Sequence, residues 1–175
     1  MLKLDGKEVE LCKTDELGLK GEHNSANALV AALGAYLAGV EVQDIITSLK
    51  SFTGLDGRQQ QIREVDGVRY INDTTATSPE GVIAALKRFS SEGDIVLIAG
   101  GNAKGFTFEE MGEWIQKKCK HVVLFEGTGT ALMEASMGSE LTIEHADSMQ
   151  KAVKLAQSAS SKGDIILMAP GGSSF

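Results

Sequence analysis

The sequence predicts an α/β fold in which helices cover both faces of a mostly parallel sheet. Three apolar runs, at 95–99, 122–125 and 165–169, have the length of buried strands, and helical patterns separate them. The first and third runs share a flanking pattern, SEGDIVLIA at 91–99 and SKGDIILMA at 161–169, and a Gly-Gly pair follows each within two residues. Strands that alternate with helices are typical of a parallel sheet buried on both faces. We therefore expect two of its strands to end in glycine-rich loops at the carboxyl edge, where open α/β sheets bind ligands.

Residues 1–52 have a different pattern, a hairpin followed by two helices. Weak alternation over 1–20, with Asp5-Gly6 as a turn, predicts the hairpin. A helix is expected from Asn24, as N-cap, to Gly39, as its C-terminal stop. Its apolar residues at helical spacing are Ala26, Leu29, Val30, Leu33 and Leu37. A second helix, 42–49, places Ile45, Ile46, Leu49 and then Phe52 on one side.

The segment 53–57, TGLDG, is typical of a linker, so we place a domain boundary between 1–52 and 53–175. After it, strands at 61–65 and 68–72 joined by Asp66-Gly67 predict a second hairpin. Ser78-Pro79 has the N-cap and N1 residues that open a helix. A weaker strand is expected at 141–143.

Composition excludes several classes of protein. Hydrophobic residues make up 42% of the 175 and charged residues 23%, with two prolines, which is typical of a globular protein and not of a disordered one. The net charge of −7, without a Lys/Arg block, argues against nucleic-acid and anionic-membrane partners. No apolar run approaches the roughly 20 residues that span a bilayer, so we expect a cytoplasmic protein. Cys12 and Cys119 are isolated and are expected to be reduced packing residues, and the three histidines have no spaced carboxylate partners, so no metal site is expected.

Three polar segments are expected to meet at the carboxyl edge: 72–77, 100–105 and 171–174. Asp73 at a strand end can accept two hydroxyls, as from a ribose, and Thr77 before a helix can offer its hydroxyl and N–H to an anion. Lys104 adds a positive charge to a loop whose glycines let the backbone approach a ligand. Because Lys104 precedes Gly105, the loop is not a Walker A motif, and a carboxylate or single phosphoryl group suits it better. The alternatives are a cap and turn for the first segment and a solvated loop lysine for Lys104.

Two further groups are candidates for ligand contact. Asn24 and Asn27 are three residues apart, so both lie on one face of the first helical turn and could present amides to a base or sugar. Arg58, just after the linker, could reach a phosphate or be a surface residue. Gly127-Thr-Gly129 begins like a dinucleotide-binding motif but lacks the third glycine, which argues against that function.

Taken in order, these residues resemble the ATP-dependent Mur ligases over nearly the whole chain. The resemblance rests on GEHNSAN at 21–27, FTG at 52–54 with Arg58, NDTTATSP at 72–79, GGNAK at 100–104 and APGGSSF at 169–175. The third and last of these are most similar to the enzymes that add D-glutamate. The resemblance implies that 1–52 is the tail of the central ATPase domain and 53–175 the Rossmann-like C-terminal domain, incomplete at its end.

In this family ATP, with Mg²⁺, phosphorylates a carboxylate, and the amino group of an amino acid then attacks the acyl phosphate. The resemblance to the members that add D-glutamate implies UDP-N-acetylmuramoyl-L-alanine and D-glutamate as the substrates, in peptidoglycan synthesis. The resemblance implies that Asn24 and Asn27 contact adenine and that Arg58 and Asp73 contact the phosphates and ribose. It assigns the two carboxylates of D-glutamate to Thr77, Lys104 and Ser174. No residue of the chain is implied to be catalytic.

Two departures qualify the resemblance. Thr75 stands where the family often has lysine, and the sequence contains no P-loop, no active-site lysine segment that could be carbamylated and no uridine-binding domain. We therefore expect a fragment that lacks its N-terminal and central domains and is inactive alone. The alternatives are a lobe of another Mur or folylpolyglutamate-type ligase, and a stand-alone module that binds a nucleotide or acidic metabolite.

Overall fold

The computed structural model describes residues 2–4, 7–19 and 21–173. The chain divides into two compact units, Met1–Gly54 and Leu55–Phe175. In the described part of the chain, no helix is long and apolar enough to cross a membrane.

The first unit contains a small hairpin and two helices. Strands β1 (Leu2–Leu4) and β2 (Lys7–Val9) pair antiparallel, and α1 (Glu22–Leu37) and α2 (Val42–Ser51) follow a short 3-10 turn at Thr14–Glu16. The predicted hairpin and both helices are thus confirmed, while the turn Asp5-Gly6 lies outside the described residues. The small core of this unit is centred on Leu11, Ala32 and Ile45.

The two ends of α1 test the predicted caps. At the C-terminus Gly39 has a φ of +88°, its N–H donates to the Tyr36 carbonyl and the Val40 N–H donates to Ala35, which is a Schellman motif. Gly39 therefore ends the helix as predicted. Asn24 is not the N-cap, because the helix begins two residues earlier and the carbonyl of Gly21 accepts the Asn24 N–H at 3.1 Å.

The apolar stripe of α1 is exposed in the described structure. The exposed fractions are 36% for Leu29, 73% for Val30, 40% for Leu33 and 76% for Leu37, whereas Ala32 is buried at 1%. The spacing therefore predicts the helix correctly but does not identify the surface that covers this face. A contiguous apolar face on a helix is typical of an interaction surface.

The second unit is a six-stranded sheet with helices on both faces. Its order is β3-β4-β8-β5-β6-β7, in which only β3 is antiparallel to its neighbour. The elements are β3 (Gln60–Val65), β4 (Val68–Asn72), α3 (Pro79–Phe89), β5 (Ile95–Gly100), α4 (Glu109–Lys118), β6 (Cys119–Phe125), α5 (Thr130–Ser136), β7 (Thr142–Ala146), α6 (Met149–Ser158) and β8 (Ile165–Gly171).

Alternate residues of β5 contribute to two layers of core, one on each face of the sheet. Ile95, Leu97 and Ala99 pack with residues of α3, α4 and α5, whereas Val96 and Ile98 pack with α6. Successive strand residues point to opposite faces, so the helices cover both faces of the sheet, as the sequence predicts. Burial of Cys119 raises the pKa of its thiol, and neither Cys119 nor the half-buried Cys12 forms a disulfide.

The hairpin of β3 and β4 is explained by its turn. Asp66 and Gly67 both have left-handed φ values, +53° and +76°, as a two-residue type I′ turn requires. Val65 and Val68 are paired across this turn, so the predicted hairpin is confirmed. It places Asn72 and the residues that follow at the carboxyl edge of the sheet.

Core packing in the second unit predicts the effect of shortening one side chain of β5. Leu97 is fully buried, so Leu97→Ala is expected to lower the free energy of unfolding by about 2–5 kcal/mol. Leu132 on α5 is 52% exposed, and Leu132→Ala is expected to cost less than about 0.5 kcal/mol. Urea unfolding followed by the fluorescence of Trp114, the single tryptophan, measures this unit directly. Equal losses in the two variants would contradict the assignment of Leu97 to the core.

Candidate functional site

Three neighbouring strands, β4, β8 and β5, end at the same edge of the sheet. The Asp73 N–H donates to the Met168 carbonyl at 2.8 Å, which continues the pairing of β4 with β8 past the strand end. The Gly171 N–H donates to Ala76 at 2.8 Å, and Asn102 and Ser173 exchange two backbone hydrogen bonds of 3.0 Å. The segments 72–77, 100–105 and 171–173 are therefore joined at the carboxyl edge, as predicted.

Two glycines at this edge have positive φ values, and at Gly101 the neighbouring backbone also leaves no room for a Cβ. Gly101 has a φ of +122°, and a Cβ there would lie 2.7 Å from the Ser173 carbonyl oxygen. Gly171 has a φ of +72°, and a Cβ there would lie 2.9 Å from the sulfur of Met111. Both positions require glycine, and the loops can present backbone groups to a ligand at close range.

Asp73 is a buried acid at the end of β4. It is 4% exposed, and its Oδ1 accepts the Gln59 N–H at 3.1 Å. Burial raises the pKa of this carboxyl, although the Gln59 N–H, the charge of Arg58 and the Thr75 hydroxyl each favour the ionised form. A carboxylate can accept up to about four hydrogen bonds, so Asp73 can still take hydroxyls from a ligand.

Gln59 is a residue that the sequence reasoning missed. It has a φ of +48°, and its side-chain Oε1 is buried with no hydrogen-bond partner among the described residues. The hydroxyl of Ser173, a residue 7% exposed, is likewise buried and unpartnered within that part of the chain. Buried polar atoms normally have partners, and two such atoms in segments joined to β4 and β8 favour this edge as a ligand site.

Thr77 and Lys104 are both exposed at this edge. Thr77 directly precedes Ser78, the N-cap of α3, and Pro79 occupies N1 as predicted. Lys104 has a φ of +43° in a turn that the Phe106 N–H closes on the Ala103 carbonyl at 2.8 Å. The third residue predicted to hold a carboxylate, Ser174, lies outside the described residues.

The remaining predicted contacts lie in different places. Arg58 is exposed and follows the linker in the second unit, near Asp73. Asn24 and Asn27 are one turn apart on α1 of the first unit, where Asn24 is 8% exposed and Asn27 is exposed. Among the residues that the structure describes, no group of three or more His, Cys, Asp or Glu side chains could hold a metal.

These features define an α/β lobe in which three polar loops are joined at the carboxyl edge of a mostly parallel sheet. The chain belongs to the Mur ligase family, since the family model described as "Mur ligase, glutamate ligase domain" matches residues 57–172.

The curated relatives agree on one kind of enzyme. UDP-N-acetylmuramoylalanine–D-glutamate ligases of Pelotomaculum thermopropionicum and Roseiflexus sp. are 39% and 38% identical to the chain over 168 and 169 residues. These alignments cover 95% and 94% of the chain but 36% of each relative, so the chain spans about a third of their length.

Solved structures show the same fold at lower identity. The chain aligns with the UDP-N-acetylmuramate-alanine ligase of Thermotoga maritima with a TM-score of 0.70 at 20% identity, over 90% of the chain and 36% of that structure. It aligns with the MurF ligase of the same organism, in complex with ADP, with a TM-score of 0.67 at 21% identity, over 86% and 35%.

The raised pKa of Asp73 predicts a pH dependence of stability. The folded chain holds this proton more tightly than the unfolded chain, so the contribution of Asp73 to the free energy of unfolding should fall as pH rises above about 4, the ordinary Asp pKa. Asp73→Asn cannot ionise and keeps an oxygen for the Gln59 N–H. Its stability relative to the wild type should therefore increase with pH until Asp73 is fully ionised. Urea unfolding at pH 4 to 7 measures the difference, and a difference that is constant or shrinks would contradict the prediction.

Proposed function

We propose that this chain is the amino-acid-binding part of an ATP-dependent ligase that adds D-glutamate to UDP-N-acetylmuramoyl-L-alanine in peptidoglycan synthesis, in the cytoplasm. The observation that carries the proposal is the identity of 35–39% with D-glutamate ligases over 89–97% of the chain. The joined strand ends with Thr77 and Lys104 support it, because a dicarboxylate needs donors and a positive charge at the same edge.

The two parts of the chain would belong to different domains of a longer enzyme. Residues 1–52 would be the tail of the central ATPase domain and 53–175 the C-terminal domain. The exposed face of α1, with Val30 and Leu37 more than 70% exposed, supports a neighbouring segment that covers it in a longer protein. This feature favours a part of a larger enzyme over a stand-alone binding module.

The three predicted amino-acid contacts would act together to hold the substrate. Lys104, Thr77 and Ser174 would hold the two carboxylates of D-glutamate and so direct its amino group at the activated carboxylate. Hydrogen bonds to charged groups contribute about 1.5–3 kcal/mol each, which suits a substrate with two carboxylates. Closure of this lobe over the rest of the enzyme would exclude water from the reactive acyl phosphate.

The nucleotide contacts are proposed on the same basis. ATP, with Mg²⁺, would supply the phosphoryl group that activates the carboxylate. The residues present fit a nucleotide in part, since Asp73 has acceptor capacity for hydroxyls and the exposed Arg58 can approach a phosphate. Asn24 and Asn27 on α1 would contact the adenine.

Binding of D-glutamate by the chain tests this proposal. In an amide-resolved NMR titration, D-glutamate is expected to shift the amides of Thr77, Lys104 and Ser174, and L-glutamate, meso-diaminopimelate and L-alanine are expected not to. Lys104→Ala should weaken binding about tenfold or more, because it removes a charge-assisted hydrogen bond. Lys154→Ala, which removes an exposed lysine of α6, is the matched control and should bind as the wild type does. A response to another amino acid instead of D-glutamate would favour a sibling ligase.

The chain alone is expected to release no phosphate from ATP in the presence of D-glutamate and UDP-N-acetylmuramoyl-L-alanine. The physical reason is that the sequence contains no P-loop to hold the phosphates. A phosphate-release assay of the purified chain measures this, and turnover above the background without protein would contradict it.

A further inference from the structure

The loop that follows β6 packs directly on the loop that carries Lys104. The Gly129 N–H donates to the Gly101 carbonyl at 2.9 Å. A Cβ at Gly127 would lie 2.4 Å from the same carbonyl oxygen, so only glycine permits this approach. The two glycines that resemble the start of a dinucleotide motif therefore serve the contact between two loops.

Thr128, between these glycines, is hydrogen-bonded to the two residues that precede Lys104, which are Asn102 and Ala103. Its Oγ1 accepts the Ala103 N–H at 3.2 Å. Its hydroxyl and its N–H each donate to the Oδ1 of Asn102, both at 3.2 Å. Asn102 is also held by its two backbone bonds to Ser173, so Thr128 links the end of β6 to the ends of β5 and β8.

Lys104 itself has a backbone conformation that needs support. Its φ of +43° lies in the left-handed region, which a residue with a Cβ rarely adopts. Within the turn of residues 103–106, the Phe106 N–H donates to the Ala103 carbonyl. The direction of the Lys104 side chain therefore depends on how firmly the residue before it is held.

We propose that Thr128 is a positioning residue for Lys104. By fixing Ala103 and Asn102, it holds the Lys104 backbone in the left-handed conformation that directs the ammonium group to a ligand carboxylate. This inference rests on the proposed function of Lys104. The role belongs to the hydroxyl, because that oxygen accepts the Ala103 N–H.

The test uses the full chain with Thr128→Val, which keeps the shape but removes the hydroxyl, and Thr128→Ser, which retains it. In Thr128→Val, the Ala103 amide should lose protection from hydrogen exchange and the Lys104 amide should shift. The dissociation constant for D-glutamate should rise about fivefold, the effect of one lost hydrogen bond. Thr128→Ser should behave as the wild type does in all three measurements.

A double-mutant cycle with Lys104→Ala distinguishes a positioning role of Thr128 from a general loss of stability. If Thr128 acts through Lys104, Thr128→Val should weaken D-glutamate binding in the wild type but not in the Lys104→Ala background. Equal losses in both backgrounds, or a serine variant as weak as the valine variant, would overturn the proposal. If the wild type shows no response to D-glutamate, the proposed function fails. The role of Thr128 is then tested by the hydrogen exchange of the Ala103 amide and the chemical shift of the Lys104 amide alone. If neither differs between Thr128→Val and the wild type, this role is overturned.

Discussion

The candidate site depends on backbone pairing that continues past the ends of β4, β8 and β5. A parallel ladder places strand ends at one edge, but loops normally separate from that edge as soon as the strands end. Here the bonds from Asp73 to Met168, from Gly171 to Ala76 and between Asn102 and Ser173 keep three loops together. The close approach of the loops at 101 and 173 is possible only because Gly101 has no Cβ. The backbones of three segments that are distant in the sequence are thus held together at this edge.

Much of this arrangement can be predicted from the sequence. The repeated GDI run and the Gly-Gly pairs identify two strands with similar ends, and the Asp66-Gly67 turn identifies β4 as the second strand of a hairpin. Which segments meet is therefore predictable, because parallel strands share their carboxyl edge. The roles of Thr77, Lys104 and Ser174 in binding remain predictions.

The sequence could not predict how the site is held together. Thr128 and Gln59 make hydrogen bonds that join loops, and neither has a motif of its own. Their signals are weak: a threonine between two glycines, and a glutamine after Arg58. The start of α1 was predicted wrongly for a similar reason. Asn24 is a good N-cap residue, but the chain enters the helix at Gly21, whose conformation is not visible in local propensity.

The proposed role of this edge is to select D-glutamate for a ligase of which the chain would form about a third. The most direct measurement replaces the matching C-terminal segment of the Pelotomaculum thermopropionicum relative with this chain and follows phosphate release from ATP. We expect phosphate release that requires both UDP-N-acetylmuramoyl-L-alanine and D-glutamate, and we expect Lys104→Ala in the chimaera to lower this release sharply. A folded chimaera that releases phosphate with another amino acid, or is insensitive to Lys104→Ala, would contradict the proposed role.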